Sequence, residues 1–531
     1  MPVERLSGVP VRAVRWVIAI VGGTLVVLAI VAGAGSRTAT LRQLVIQTLA
    51  ARLDSDVELQ SFSVDMFPTV HITGTGLVIR HRGRRDVPPL VSVQAFAMDG
   101  GLAGFLSRPR RFRTVSVTGL RINIPPGGLK GEPNTKRAAA SGEDGPAAIV
   151  VDVLEAEDAA LTLIPKREGK EPKVFAVHRL TMKPLGRART MSFEAAITNP
   201  IPKGIVRTAG TFGPWNRQDP GATPLNGRYT FDDADLTPIK GIAGTLKSAG
   251  TFSGALDRIA VAGVTETPDF ALDVNGTPVP LHTTFEAVVD GTDGDTYLNA
   301  VSASFLKTSL TARGAVVGAE GVKGRTVKVH VKIDDGRIED LLRLTVKGNQ
   351  PAMTGALALH ADMDLPAGPA DVMNRLHVTG EFNIAGVQFE SREVQRRISD
   401  LSERARGLDP DEHSQNVASS LRGNFTLARN SITLRDTTFG IPGAQVQVAG
   451  TYGLATEALQ FDGTVRMRAT VSQAAGGVKG ALLKVVDPIF RKDGAGAVIP
   501  IRIRGSRMEP KFGLDVGRVI RTGRKPRIPN P

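Results

Sequence analysis

The chain of 531 residues contains no cysteine. Disulfides, zinc–thiolate sites, iron–sulfur clusters and cysteine nucleophiles are therefore excluded. Aromatic residues are sparse, at 5% of the chain, which leaves little material for base-stacking platforms. The eight histidines, at 71, 81, 178, 282, 330, 360, 377 and 413, include no H-E-x-x-H or other metal-ligand spacing. There is no G-x-x-x-x-G-K-[ST] phosphate loop and no G-x-S-x-G elbow. Gly476-Gly477-Val478-Lys479-Gly480 opens a helical pattern but lacks the preceding strand of a nucleotide fold. The acidic pairs Asp232-Asp233 and Asp334-Asp335 border expected turns and read as turn and cap residues. No catalytic residue, metal site or cofactor is expected, and the chain reads as a non-enzyme.

Charge is also absent from one long stretch, Trp16 to Ala34. At about 1.5 Å per residue, a helix of that length covers roughly the 30 Å hydrocarbon core of a bilayer. Trp16, Ile18, Ile20, Val26, Val27, Leu28 and Ile30 are its bulky apolar members. Arg5, Arg12 and Arg15 stand before it against Glu4, which predicts a cytoplasmic segment 1–15 and export of everything downstream. Ala32-Gly33-Ala34 also fits a signal-peptidase pattern, but the run exceeds a usual signal core of about 7–15 residues. The expectation is an uncleaved anchor over 16–34. Either alternative exports the chain.

What is abundant is glycine and basic charge. Gly 58 and Pro 33 point to many turns, as an all-β chain needs. The net charge of +14 admits nucleic-acid binding on composition alone. Export argues against that partner. A solvated basic face, or attraction to anionic lipid headgroups, accounts for the charge.

Residues 37–54 place Leu41, Leu44, Val45, Thr48, Leu49 and Leu53 at helical spacing, predicting one amphipathic helix. The period then changes. Segments 57–64, 71–80, 91–98 and 115–126 read as strands. The alternation is cleanest over 326–334, with Val327, Val329, Val331 and Ile333 on one face and Thr326, Lys328, His330 and Lys332 on the other. Ile499, Ile501 and Ile503 alternate likewise with Pro500, Arg502 and Arg504. Residues 127–147 read as a flexible loop and 516–531 as a basic disordered tail. Short helices are expected at Gly336–Val346, Ser391–Leu408 (stripe Val394, Ile398, Leu401, Ala405, Leu408) and Val478–Lys492. Five Gly-x-aromatic copies, at Gly210, Gly250, Gly380, Gly423 and Gly450, suggest hairpins with glycine at the turn.

The fold class expected is mainly β with one N-terminal transmembrane helix. Its body is an elongated, curved antiparallel β-sheet groove with a few short amphipathic helices. So many strands and so few helices leave two arrangements for the apolar face: the sheet folds on itself as sandwiches, or it curls into a trough whose inner face stays apolar. An exported, tethered protein displaying such a face needs an apolar ligand, and acyl chains are the nearest.

Several segments resemble the AsmA-like family of bacterial envelope proteins. The anchor leads into LRQLVIQTLAARLDSDVELQSFSVDMFPTVHITGTGLVIRHRGRRDVPPLVSV, similar to the start of that family. Residues 210–272 and 380–407 resemble the central part of its long members, and 479–515 its C-terminal region. The likeness is collinear over most of 10–515. It implies an inner-membrane protein with its bulk in the periplasm, related to TamB and YhdP and distantly to chorein-type bridges, with a lipid-binding β-groove. Domains follow: 1–15 cytoplasmic, 16–34 anchor, 35–126 chorein-like helix and first groove segment, and 127–147 loop. After these come 148–388 central groove, 389–410 helical insertion, 411–515 C-terminal β region and 516–531 tail. Val327, Val329, Val331, Ile333, Ile499, Ile501 and Ile503 are the groove candidates. The expected partners are membrane phospholipids, the inner membrane and outer-membrane assembly proteins, and the expected role is phospholipid transport between membranes and outer-membrane homeostasis. The alternative is an assembly or scaffold factor for outer-membrane proteins that carries no lipid.

Overall fold

The computed structural model describes residues 38–53, 55–81, 88–107, 110–124, 149–164, 172–185, 190–216, 219–272, 277–318, 322, 324–346, 351–408, 417–469, 497–506 and 509–514. The expectations for 1–15, Trp16–Ala34, 127–147, the helix at 478–492 and the tail lie outside these residues. Among the described residues, no helix is long and apolar enough to cross a membrane.

Strands dominate, and 26 of them form one large sheet. The first group is β1 (Ser55–Glu58), β2 (Ser61–Asp65), β3 (Val70–His81), β4 (Val91–Gly100), β5 (Arg110–Thr118), β6 (Arg121–Ile124), β7 (Ile149–Leu163), β8 (Lys173–Lys183) and β9 (Met191–Pro200). The middle holds β10 (Lys203–Phe212), β11 (Pro224–Asp235), β12 (Ile242–Ala243), β13 (Thr245–Ala255), β14 (Arg258–Leu272), β15 (Val279–Val289), β16 (Thr296–Phe305), β17 (Thr308–Gly318) and β18 (Arg325–Arg337). The last are β19 (Met353–Leu365), β20 (His377–Phe389), β21 (Ser420–Ala428), β22 (Ser431–Ile441), β23 (Ala444–Gly453), β24 (Ala458–Met467), β25 (Ala497–Ser506) and β26 (Pro510–Leu514). Among the described residues five α-helices accompany them: α1 (Thr38–Leu53), α2 (Leu102–Leu106), α3 (Ile338–Thr345), α4 (Val372–Arg375) and α5 (Arg392–Arg406).

The sheet is a meander in chain order. From β7 to β26 nearly every strand pairs antiparallel with its predecessor; β12 alone is a short side strand on β14. The exception to antiparallel order is β7, which runs parallel to β5 and β6. Pairing continues across residues 126, 148 and 388, so no break in the sheet accompanies those boundaries. Such local connectivity suits a chain rich in turn formers and alternating residues.

The packed core is concentrated at the N-terminal end. There α1 packs on β1 and β2, and its Val45 and Leu49, both 0% exposed, belong to one core with Phe62, Ile72, Met98, Phe112 and Val115. Leu44, expected on the buried stripe, is 39% exposed. The helix turns its 45/49 edge to the sheet, with Ile46 and Ala50 beside it. The remaining clusters are small and sit under α3 and α5.

Other expectations need correction. α5 begins after a Ser391 cap and stops at Gly407, whose φ of 79° ends the helix. Val394 and Leu408 are 40% and 53% exposed, so the buried stripe is narrower than expected. The acidic pairs do not border turns. Asp232-Asp233 and Asp334-Asp335 sit at β-bulges within β11 and β18, where pairing skips between Phe231 and Ala234 and between Ile333 and Gly336. A bulge leaves an extra residue unpaired against the partner strand, and a small acid facing solvent fills that place.

The Gly-x-aromatic copies are not turns either. Each glycine lies inside a strand, directly opposite an aromatic residue: Gly210 opposite Phe193, Gly250 opposite Tyr229, Gly380 opposite Phe425, Gly423 opposite Phe382. The fifth, Gly450, faces Phe461, and Gly74 outside the set faces Phe96. A Cβ on Gly74 would come within 2.3 Å of the Phe96 ring, and one on Gly380 within 2.7 Å of Phe425. At Gly74, Gly250, Gly380 and Gly450 the rings of Phe96, Tyr229, Phe425 and Phe461 lie over the glycine, which shields the strand where it has no side chain of its own, whereas Gly210 and Gly423 face the Asn226 backbone and Thr437.

Candidate functional site: a continuous apolar sheet face

Directly paired residues in a sheet share a face, so register alone shows what each face is made of. Starting at Val331 in β18, the partners downstream are Ala361, Gly380, Phe425, Leu434, Gly450, Phe461 and Ile503. Phe512 of β26 follows. Upstream come Ala312, Val301, Phe285, Gly263, Gly250, Tyr229 and Thr208. Then Ala195, Leu180, Ala156, Val117, Phe96, Gly74 and Phe62 complete the row. Thr208 is the one member that is neither apolar, aromatic nor glycine. At about 4.8 Å per strand, the row is roughly 100 Å long.

The neighbouring row on the opposite face has the reverse chemistry. Lys332 pairs with Thr311 on one side and His360 on the other, and Glu381, Asn424 and Arg435 continue it. Lys328, His330 and Lys332 are exposed, whereas Val327, Val329 and Val331 are half-buried. The alternation read over 326–334 is thus the local part of a pattern that spans the sheet.

The row joins the two clusters of groove candidates, which are far apart in sequence. Val331 and Ile503 belong to it. Val327 and Val329 lie beside it on the same face, paired with Leu365 and Met363. Three candidates differ from these. Ile333 is 2% exposed and belongs to a packed cluster with Ile338 of α3, Leu357, Ile384 and Val387. Ile499 and Ile501 pack against the cluster that includes Ala405 of α5. These three are positions where a helix already covers the face.

Both helices lie at the same rim, because both follow strands that run the same way along the sheet. α3 is fixed there by Asp340, 4% exposed, which accepts from the Lys307 N–H and the Thr308 hydroxyl, each at 2.9 Å. Glu339 accepts from the Gly355 N–H at 3.1 Å. α5 is held by Ser402, which donates to the Pro442 carbonyl at 2.8 Å. From β8 to β16 few residues of the face reach full burial, and Phe231, Phe252, Val261, Phe285 and Val301 remain half-buried.

Polar atoms on this face are mostly hydroxyls. Tyr229 and Ser248 lie 3.1 Å apart, and Ser248 donates to the Val264 carbonyl. Thr265 and Thr283 continue from Ser248 in the next two strands.

The charged groups are on the other face. His71, His282, His330 and His360 each pair across strands with a carboxylate, Asp99, Glu266, Asp362 and Glu381 respectively. Asp462 receives Arg504 at 2.9 and 3.0 Å and Arg502 at 3.3 Å. Partial burial pushes its carboxyl up, but the hydrogen bonds and charges of the two arginines outweigh that and hold it below its ordinary value. Among the described residues, no group of three His, Asp or Glu could hold a metal ion.

A shallow cleft of about 470 Å³ lies over β13 to β16 on the face opposite the row, where Ala249, Thr251, Ala262, Thr284, Glu286 and Ser302 line it. None of the seven groove candidates lines it. The face missed by the sequence reading is the stretch between the two valine and isoleucine clusters. Its signal was present in the Gly-x-aromatic copies, which mark the row itself. Comparison with protein-family models, curated proteins and solved structures finds no match for this chain.

Proposed function

We propose that this chain is an AsmA-like envelope protein whose apolar sheet face curves into a groove for phospholipid acyl chains. In this reading Trp16–Ala34 anchors it in the inner membrane, the sheet lies in the periplasm, and lipid passes along the groove toward the outer membrane. The observation that carries the proposal is the single row from Phe62 to Phe512, apolar, aromatic or glycine at every one of its positions but Thr208. A monomer rarely leaves an apolar surface of this length without a ligand. Each methylene shielded there contributes about 0.8 kcal/mol, so an acyl chain lying along the row supplies its own driving force. The half-buried state of one face beside the exposed state of the other supports a curved sheet with its apolar side inward. The likeness of the N-terminal, central and C-terminal segments to the AsmA-like family supports the location and the ligand class.

The test is photocrosslinking in cells from residues placed at Val329 and Val331, with Lys328 and Lys332 as controls. The expected result is phospholipid adducts from the two valine positions only. Adducts from neither pair, or equally from both, would refute the groove. Protein adducts from the valines with no lipid would favour the scaffold reading instead.

A further inference from the structure

One rim of the sheet's N-terminal end exposes apolar side chains on two adjacent loops. Val70 pairs with Gly100, so the β2–β3 turn and the connection holding α2 lie side by side there. Phe67 at the turn is 88% exposed, and Leu106 and Leu102 on α2 are 71% and 41% exposed. Leu102 and Leu106 are four residues apart and share one side of the helix. Phe105, between them in sequence and turned toward the sheet, is 2% exposed and seated in the core, with the Arg110 guanidinium 5.1 Å from its ring centre. Met66 likewise packs against the core next to Phe67. These apolar tips therefore stand on a packed base and face solvent.

α1 begins near the same rim. It ends one residue before β1, and Arg42 donates to the Gln60 carbonyl at 3.1 Å. The helix thus runs antiparallel to β1 and β2, and its first turn lies toward the Asp65 end. Trp16–Ala34 precedes that first turn by only a few residues.

We infer that Phe67, Leu102 and Leu106 insert into the interfacial layer of a phospholipid bilayer and seat the first end of the sheet on the membrane surface. The inference goes beyond the groove: the contact is made by the folded domain's own loops. It rests on reading Trp16–Ala34 as a membrane anchor, which brings this rim to the bilayer. Aromatic and leucine side chains with a polar base are suited to that layer.

The absence of cysteine makes the test direct. Phe67→Cys and Leu106→Cys, with Leu306→Cys at a distant turn as control, are made in the full chain and labelled with an environment-sensitive NBD probe. The protein is reconstituted into vesicles of phosphatidylethanolamine and phosphatidylglycerol. The expected result at positions 67 and 106 is blue-shifted emission, at least twofold quenching by shallow doxyl-labelled lipid and protection from iodide, with position 306 open to iodide. Iodide access equal to that at 306 would overturn the inference. So would protection from iodide without doxyl quenching, the outcome for a protein partner or a second copy. A chain that fails to float with the vesicles would overturn the anchor and the inference together. The groove is scored separately, by crosslinking at Val329 and Val331.

Discussion

Val331 and Ile333 lie on one strand, two residues apart on the same face, and the structure assigns them different fates. Ile333 is 2% exposed beneath α3, in a cluster with Ile338, Leu357 and Ile384. Val331 is half-buried between Ala312 and Ala361. Ile333→Ala deletes a packed side chain and leaves a cavity, which costs about 2–5 kcal/mol. Val331→Ala removes two methyls from a surface that water already reaches. At about 25 cal/mol per Å² for the part that is shielded, the cost is below about 1 kcal/mol. Urea denaturation followed by circular dichroism measures both. The expected result is a clear fall in midpoint for Ile333→Ala and almost none for Val331→Ala. Equal losses would refute the reasoning, because they would mean that the face over Val331 is as covered as the core.

Asp340→Ala leaves the Lys307 N–H and the Thr308 hydroxyl without their buried acceptor, and should cost about 2–4 kcal/mol. Hydrogen exchange should show the loss concentrated in 338–345. Gly380→Val drives a side chain against the His360 carbonyl and into the Phe425 ring and should destabilise by about 1–3 kcal/mol, with Phe425→Ala in the same chain recovering only the ring's share in a double-mutant cycle. Asp462 has a lowered pKa in the folded chain, so the unfolded chain binds more protons below the ordinary carboxylate range. Its contribution is therefore fully present above the unfolded pKa and is lost as pH falls through the lowered folded value. With the groups close to half exposed, that contribution is within about 1 kcal/mol. Arg504→Gln should flatten this part of the stability profile between neutral and acid pH, and an unchanged profile would remove the arginine as the cause.

The β class and the two faces of 326–334 were legible because period-2 alternation is a local property. The positions of α1, α3 and α5 were legible for the same reason, whereas α2 and α4, only five and four residues long, carry too little periodicity to be seen, and the buried side of α1 was not legible either. Leu44 and Leu49 look equivalent in sequence, and only the sheet beneath decides that Val45 and Leu49 go inward. The joining of Val331 to Ile503 depends on seven strand registers, none of which local pattern specifies. The glycines misled because glycine is common at turns, whereas at Gly250, Gly380 and Gly450 it makes room for a ring from the next strand. Asp232 and Asp334 misled similarly: a bulge and a turn both favour a small acid.

One residue per strand builds the row, and most steps exchange one small or apolar group for another. An apolar molecule lying along such a surface meets almost the same environment after each displacement of about 4.8 Å. Its energy along the row is then nearly flat, with no deep well at which to stop. The hydroxyls of Thr208, Tyr229 and Ser248 make the main irregularity. Residence time is therefore set by how much of the molecule is shielded, and displacement along the sheet needs no change in the protein's shape.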